Sequence, residues 1–163
     1  MSRSSQTVKI WTLILLSLPV GLILMFLRFP PNTDWLQPLW VVLISIYWAL
    51  MKPNYVSVGT AWLVGIYLDI LYNAPIGENA LALSLIVFLV VKFCPKITLL
   101  GFWKSSPIIF GLTALYQLLR FIMEISIGTH FNIRAIFGNA AISALIWPLL
   151  ALILFNCQRK LRI

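Results

Sequence analysis

Three ionisable side chains lie inside long apolar runs: Asp69, Arg120 and Glu124. Each costs at least ~2.5–3.5 kcal/mol to insert at the centre of a membrane helix. Two kinds of chemistry would justify keeping them: a proton relay or ligand site, or buried pairing that holds helices together. Thr113, Tyr116, Gln117, Arg120 and Glu124 recur at the spacing of one helical face, while the residues between them are mostly Leu, Ile, Phe and Met. Such a polar stripe faces protein or a wet cavity rather than lipid. Arg120 and Glu124, four residues apart, can pair within the helix, although basic-before-acidic is the less favoured order.

Asp69 closes a line of small residues, Ser57, Ala61 and Gly65, that repeats every fourth position and so shares one helix face. Small residues let a second helix approach closely, which makes this line a packing seam. Asp69 lies 13 residues past Val56, and Arg120 lies 13 residues past Pro107. If both helices run in the same direction, the two side chains sit at similar heights, roughly 20 Å from one boundary at 1.5 Å per residue. The pattern therefore predicts an Asp69–Arg120 ion pair or a water-bridged equivalent.

Other chemistry finds little to work with. His130 is the single histidine and falls in a turn, where a solvated role outweighs metal ligation. Cys94 and Cys157 each lie beside positive charge and lack metal-site spacing, so they read as reduced filler near an interface. No phosphate loop and no Ser-His-Asp set can be assembled. A lipid-processing transferase would need a His or several acids at the membrane surface, and only His130, Asp34 and Glu78 are on offer. No catalytic residue, cofactor or metal is expected.

The elements that must position these side chains follow from composition. Of 163 residues, 61% are apolar and 10% charged, with a mean hydropathy of +0.99. A soluble domain is roughly 45–50% apolar and about 25% charged, so the excess must face lipid. A span takes about 20 residues. Six apolar blocks qualify: 10–27, 36–51, 56–72, 79–92, 107–127 and 135–155. The second is short, and Trp40, Tyr47 and Trp48 suit its interfaces. Pro19 and Gly21 predict a kink in the middle of the first block, and the adjoining Trp147 and Pro148 predict one in the sixth. Asn73–Glu78 reads as a tight turn and Lys92–Ser106 as a basic linker.

Six spans put both ends on one side. Arg3, Lys9, Lys52, Lys92, Lys96, Lys104, Arg159, Lys160 and Arg162 then share that side, nine of the twelve basic residues, against Arg28 and Arg134 on the other. The net charge of +8 is thus a topology signal that places both termini in the cytoplasm, not a nucleic-acid footprint. The expected fold is an all-α integral membrane protein, one polytopic domain over residues 1–163. The basic tail can also attract anionic membrane lipid.

One stretch carries a family likeness. Pro38-Leu39-Trp40, Tyr47-Trp48, Pro53, Val58-Gly59-Thr60, Gly65, Leu68-Asp69, Gly77 and Leu81-Ala82-x-Ser84, with the late Leu145-Ile146-Trp147-Pro148 before a basic tail, resemble the rod shape-determining MreD family of Gram-negative bacteria. The resemblance implies a multi-pass inner-membrane subunit of the lateral wall-elongation machinery without catalytic activity. It implies association with MreC and, through it, with MreB, RodZ, RodA and the elongation transpeptidase. It marks Gly59, Gly65, Asp69, Gly77, Trp147 and Pro148 as motif positions and Glu124 as a matching acid. Arg120 has no clear basic counterpart.

Two function classes follow. A membrane scaffold would bind a single-span partner such as MreC through the Ser57–Ala61–Gly65 seam, so that Gly65→Leu abolishes co-purification. A substrate-binding subunit of a vitamin-uptake system would use the polar stripe to line a ligand pocket, but its first helix should carry an alanine docking repeat. Here that helix offers only Ser17-x-x-x-Gly21.

Overall fold

The computed structural model describes residues 3–26, 37–126 and 133–160. Arg28, Asp34, His130 and Arg162 lie outside the described residues.

The first helix, α1 (Arg3–Phe26), runs through Pro19. Its small residues Ser17 and Gly21 turn inward onto α2 (Trp40–Met51). A Cβ on Gly21 would come 2.6 Å from Ile44 Cδ1, and Ser17 Oγ accepts the Trp48 indole N–H at 2.8 Å. The Ser17-x-x-x-Gly21 pattern is therefore used for packing inside this chain.

Twelve residues make α2 only about 18 Å long, well short of a ~30 Å hydrocarbon core. Every residue from Val41 to Leu50 is buried. A helix that is apolar all round belongs inside a bundle, and α2 is packed by α1, α4 and α7. Ser143, from the last helix, accepts the Leu39 N–H at 3.0 Å and so satisfies a backbone donor at the mouth of α2.

Next comes α3 (Val58–Tyr72), entered through the Ser57 N–H, which donates to Thr60 Oγ1 at 3.0 Å. It stops at Asn73, which takes the left-handed conformation (φ 48°) that Asn tolerates better than most residues. The turn hands over to α4 (Glu78–Leu99) at Gly77 (φ 109°). The sequence pattern ends the fourth span near residue 92 and expects a linker. Instead α4 continues through Pro95 to Leu99, and one further turn, α5 (Gly101–Lys104), leads to α6 (Ser106–Ser126). The apolar residues of the stretch supply the reason: Ile97 is buried and Cys94 Sγ reaches the Leu50 carbonyl at 3.2 Å, so this segment packs on α2.

The last helix, α7 (Ile133–Lys160), is continuous through Pro148. It pairs with α6 as α3 pairs with α4, and α4 bridges the pairs by touching α2 and α6. Trp147 is 1% exposed and donates its indole N–H to Ser105 Oγ at 3.0 Å, tying α7 to the α5–α6 corner. Among the described residues there is no strand. Among the described residues three helices are long and apolar enough to cross a membrane, over Glu78–Pro95, Ser106–Ile125 and Ile136–Lys160. Shorter apolar helices cover Ile10–Met25, Trp40–Met51 and Val58–Tyr72. Their outer faces remain apolar, with Leu15, Leu63, Leu145 and Leu149 exposed, as lipid contact requires.

Candidate functional site

The in-membrane charges converge where α3 ends, α4 begins and α6 passes. Gly65 makes the convergence possible. A Cβ there would overlap the α4 backbone at Ala80 and stand 2.8 Å from the Asn79 carbonyl oxygen, so α3 and α4 are in backbone contact at this level. One turn on, Asp69 is fully buried. Its Oδ2 accepts the Gly77 N–H at 2.8 Å, and its Oδ1 accepts the Asn79 N–H at 2.8 Å and the Asn79 side-chain amide at 2.9 Å. A side chain of α3 thus caps the first turn of α4. The carboxylate gains N–H donors that no helical carbonyl can use and sits at the positive end of the helix dipole.

Asn79 passes the connection on. Its Oδ1 accepts the Tyr116 hydroxyl of α6 at 2.5 Å. One turn further along α6, Arg120 donates from Nε to Glu78 Oε1 at 2.8 Å and from Nη2 to Glu124 Oε1 at 3.1 Å. Glu78 is 2% exposed, whereas Arg120 and Glu124 are each 20% exposed. Gln117 and Thr113 are buried on the same stripe, Thr113 donating to the Ile109 carbonyl at 2.8 Å.

This arrangement corrects the expected Asp69–Arg120 pair. Both side chains reach the first turn of α4, but Asp69 is satisfied by Gly77 and Asn79 and the guanidinium goes to Glu78, the residue before Asn79. Glu78 is likewise not a loop residue but the first residue of α4, where an acid complements the dipole. Asn79, which links α3, α4 and α6, has no sequence signal beyond its place between an acid and an apolar run. Of the line of small residues, Gly65 packs on the chain's own α4, and Ala61 is 2% exposed in the core. Ser57 is exposed at the N-cap of α3.

The remaining motif positions have structural tasks. Pro38 is buried and its carbonyl accepts the Trp40 N–H at 3.0 Å as α2 begins. Gly59 is exposed, and a Cβ added there would meet only Ser57 Oγ, at 3.9 Å. Pro148 lines an outer groove between α6 and α7. Among the described residues, no group of three or more His, Cys, Asp or Glu side chains could hold a metal ion.

The family model described as rod shape-determining protein MreD matches residues 4–157. The chain belongs to the MreD family. A curated relative, the rod shape-determining protein MreD of Haemophilus influenzae, is 31% identical over 154 residues, covering 94% of each chain. No solved structure gives a significant match. Like other MreD proteins, this one is a rod shape-determining membrane protein. Its family is one of shape-determining structural proteins rather than known enzymes.

Proposed function

We propose that the protein is a non-enzymatic scaffold in the bacterial inner membrane. It crosses the bilayer six times with both termini in the cytoplasm and holds together the complex that directs lateral peptidoglycan synthesis. MreC is its main partner, and MreB, RodZ, RodA and the elongation transpeptidase join through that contact. The observation that carries the reading is how the buried charges are used. Asp69 is saturated by three N–H donors from α4 and the turn before it, and Arg120 is shared between Glu78 and Glu124. These groups lock three helices into one rigid body, which is what a scaffold needs. A vitamin-binding subunit would keep the α6 stripe free to line a pocket, whereas Tyr116 and Arg120 are bonded to α4.

The packing also revises where a partner helix docks. The Ser57–Ala61–Gly65 line is largely covered by this chain, so a single-span partner meets the outer faces, such as the exposed Trp62, Leu63 and Tyr67 of α3. Depletion in the host should cost the rod shape, and tagged protein should retain MreC on purification. Retained rod shape or an MreC-free preparation would count against the scaffold. A reporter active only in the periplasm should stay silent at the C-terminus; activity there would overturn the six-span orientation.

A further inference from the structure

Between α1 and α7 lies an open apolar groove of about 430 Å³, floored by Trp40, Ile44 and Trp48 of α2. Its one hydroxyl is occupied: Ser17 Oγ donates to the Ile14 carbonyl at 2.9 Å while accepting the Trp48 indole N–H. The interior therefore suits hydrocarbon and offers nothing to a polar ligand. The lining runs along α7 from Ile146 to Cys157. Those eleven steps correspond to about 16 Å at 1.5 Å per residue, close to half of a ~30 Å hydrocarbon core. That is the depth of one leaflet and the reach of an acyl chain, whereas a transmembrane helix would need a groove along the full span.

One end of the groove is basic. Immediately past Cys157, Arg159 and Lys160 are exposed, and Lys52 follows the end of α2 at the same side. No aspartate or glutamate occurs anywhere in α1, α2 or α7. A hydrocarbon slot of one-leaflet depth with a purely basic mouth complements an amphiphile with an apolar chain and an anionic head. We propose that this groove is a binding site for an anionic phospholipid, its acyl chain against Trp48 and Leu150 and its phosphate beside Lys160, which continues the groove-lining face of α7. The orientation proposed above makes this a lipid of the cytoplasmic leaflet; the chemistry of the site does not depend on that orientation.

The test is lipid titration of the purified full chain in mild detergent, read by native mass spectrometry, with phosphatidylglycerol and phosphatidylcholine as probes. Phosphatidylglycerol should bind in preference to phosphatidylcholine. Lys160→Gln should weaken it about fivefold, the electrostatic attraction of one basic residue, while leaving phosphatidylcholine unchanged. Ile153→Trp, at an exposed groove position, should fill the slot and abolish retention of phosphatidylglycerol with Lys160 intact; Leu149→Trp serves as a second filling variant should the first misfold. Equal binding of the two lipids would overturn the site. So would a charge effect without any effect of the filling variants, which would leave only surface attraction. Loss of a co-purifying single-span protein in the filling variants with lipid binding intact would make the groove a helix dock instead. A reporter result reversing the topology would change the leaflet and leave these binding outcomes as they are.

Discussion

Asp69 caps helix α4 from helix α3: its Oδ1 receives both the backbone N–H of Asn79, at 2.8 Å, and the Asn79 side-chain amide, at 2.9 Å. The relationship explains how a fully buried carboxylate exists here without a cationic partner in contact among the described residues. Burying a lone charge is costly, but a carboxylate with several N–H donors at a helix N-terminus is compensated. The same bonds fix the turn between the helices, since Gly77 N–H takes the other oxygen. Tyr116 then fastens α6 to Asn79, so three helices meet on two side chains.

Removing the Asp69 carboxylate should therefore destabilise the whole bundle. Asp69→Ala leaves the Gly77 and Asn79 N–H groups and the Asn79 amide without their acceptor, the two Asn79 donors in a buried site and Gly77 in a half-buried one. Buried donors left unpaired cost about 1–3 kcal/mol apiece, so the two on Asn79 give an expected loss of about 2–6 kcal/mol. Asp69→Asn should fall between the two, because its amide turns an N–H toward one of the donors. Thermal unfolding in detergent, followed by size-exclusion chromatography, checks this. An unchanged midpoint for Asp69→Ala would remove the cap from the account of the fold.

The Glu78–Arg120–Glu124 cluster predicts a sign pattern across substitutions. Arg120→Ala should be the most harmful, because it strands Glu78, which is 2% exposed. Breaking a buried pair from one side costs about 3–5 kcal/mol, whereas replacing both partners is often near neutral. Arg120→Leu/Glu78→Leu should thus unfold at a higher temperature than Arg120→Ala alone. Glu124→Gln should change little, about 0–1 kcal/mol, since that side of the cluster is more exposed. A double substitution worse than Arg120→Ala would show that the cluster stabilises through something other than charge pairing.

Two glycines separate packing from propensity. At Gly65 even a methyl group overlaps the Ala80 backbone, while at Gly111 a Cβ meets nothing within 4 Å. Gly65→Ala should therefore lower the unfolding temperature by forcing α3 away from α4. Gly111→Ala should raise it slightly, because alanine is favoured over glycine in a helix by about 1 kcal/mol. Equal behaviour of the two variants would mean that α3 and α4 are not in backbone contact at Gly65.

Much of this fold was legible from period and composition. The apolar blocks become helices, and Gly65 on the every-fourth-residue line meets the α4 backbone. The polar stripe of α6 faces protein, as a stripe flanked by Leu, Ile and Phe must. What spacing could not supply was the partner of each polar group. Equal depth put Asp69 and Arg120 in one layer, but depth carries no azimuth. The competing partner for Asp69 was backbone, which has no letter in the sequence. Glu78 read as a loop acid because a helix start and a loop end look alike when the turn holds Pro75 and Gly77. The basic stretch after Lys92 read as a linker because its charges hide the buried Ile97 and the contact of Cys94 with Leu50.

Gly77 offers a last separation, between conformation and space. Its φ is +109°, and a Cβ there would meet nothing within 4 Å. The cost of Gly77→Ala is thus conformational, about 1–2 kcal/mol for a residue with a side chain held in the left-handed region. Gly77→Asn should cost less, since Asn visits that region more readily. The backbone must keep this conformation to aim the Gly77 N–H at Asp69 Oδ2, at 2.8 Å. Gly77→Ala and Asp69→Ala should consequently be non-additive: in the Asp69→Ala background the turn has lost its acceptor, is free to relax, and the glycine substitution should cost less than it does alone. Unfolding midpoints of the two single variants and the double variant decide it, and strict additivity would show that the turn and the cap are independent.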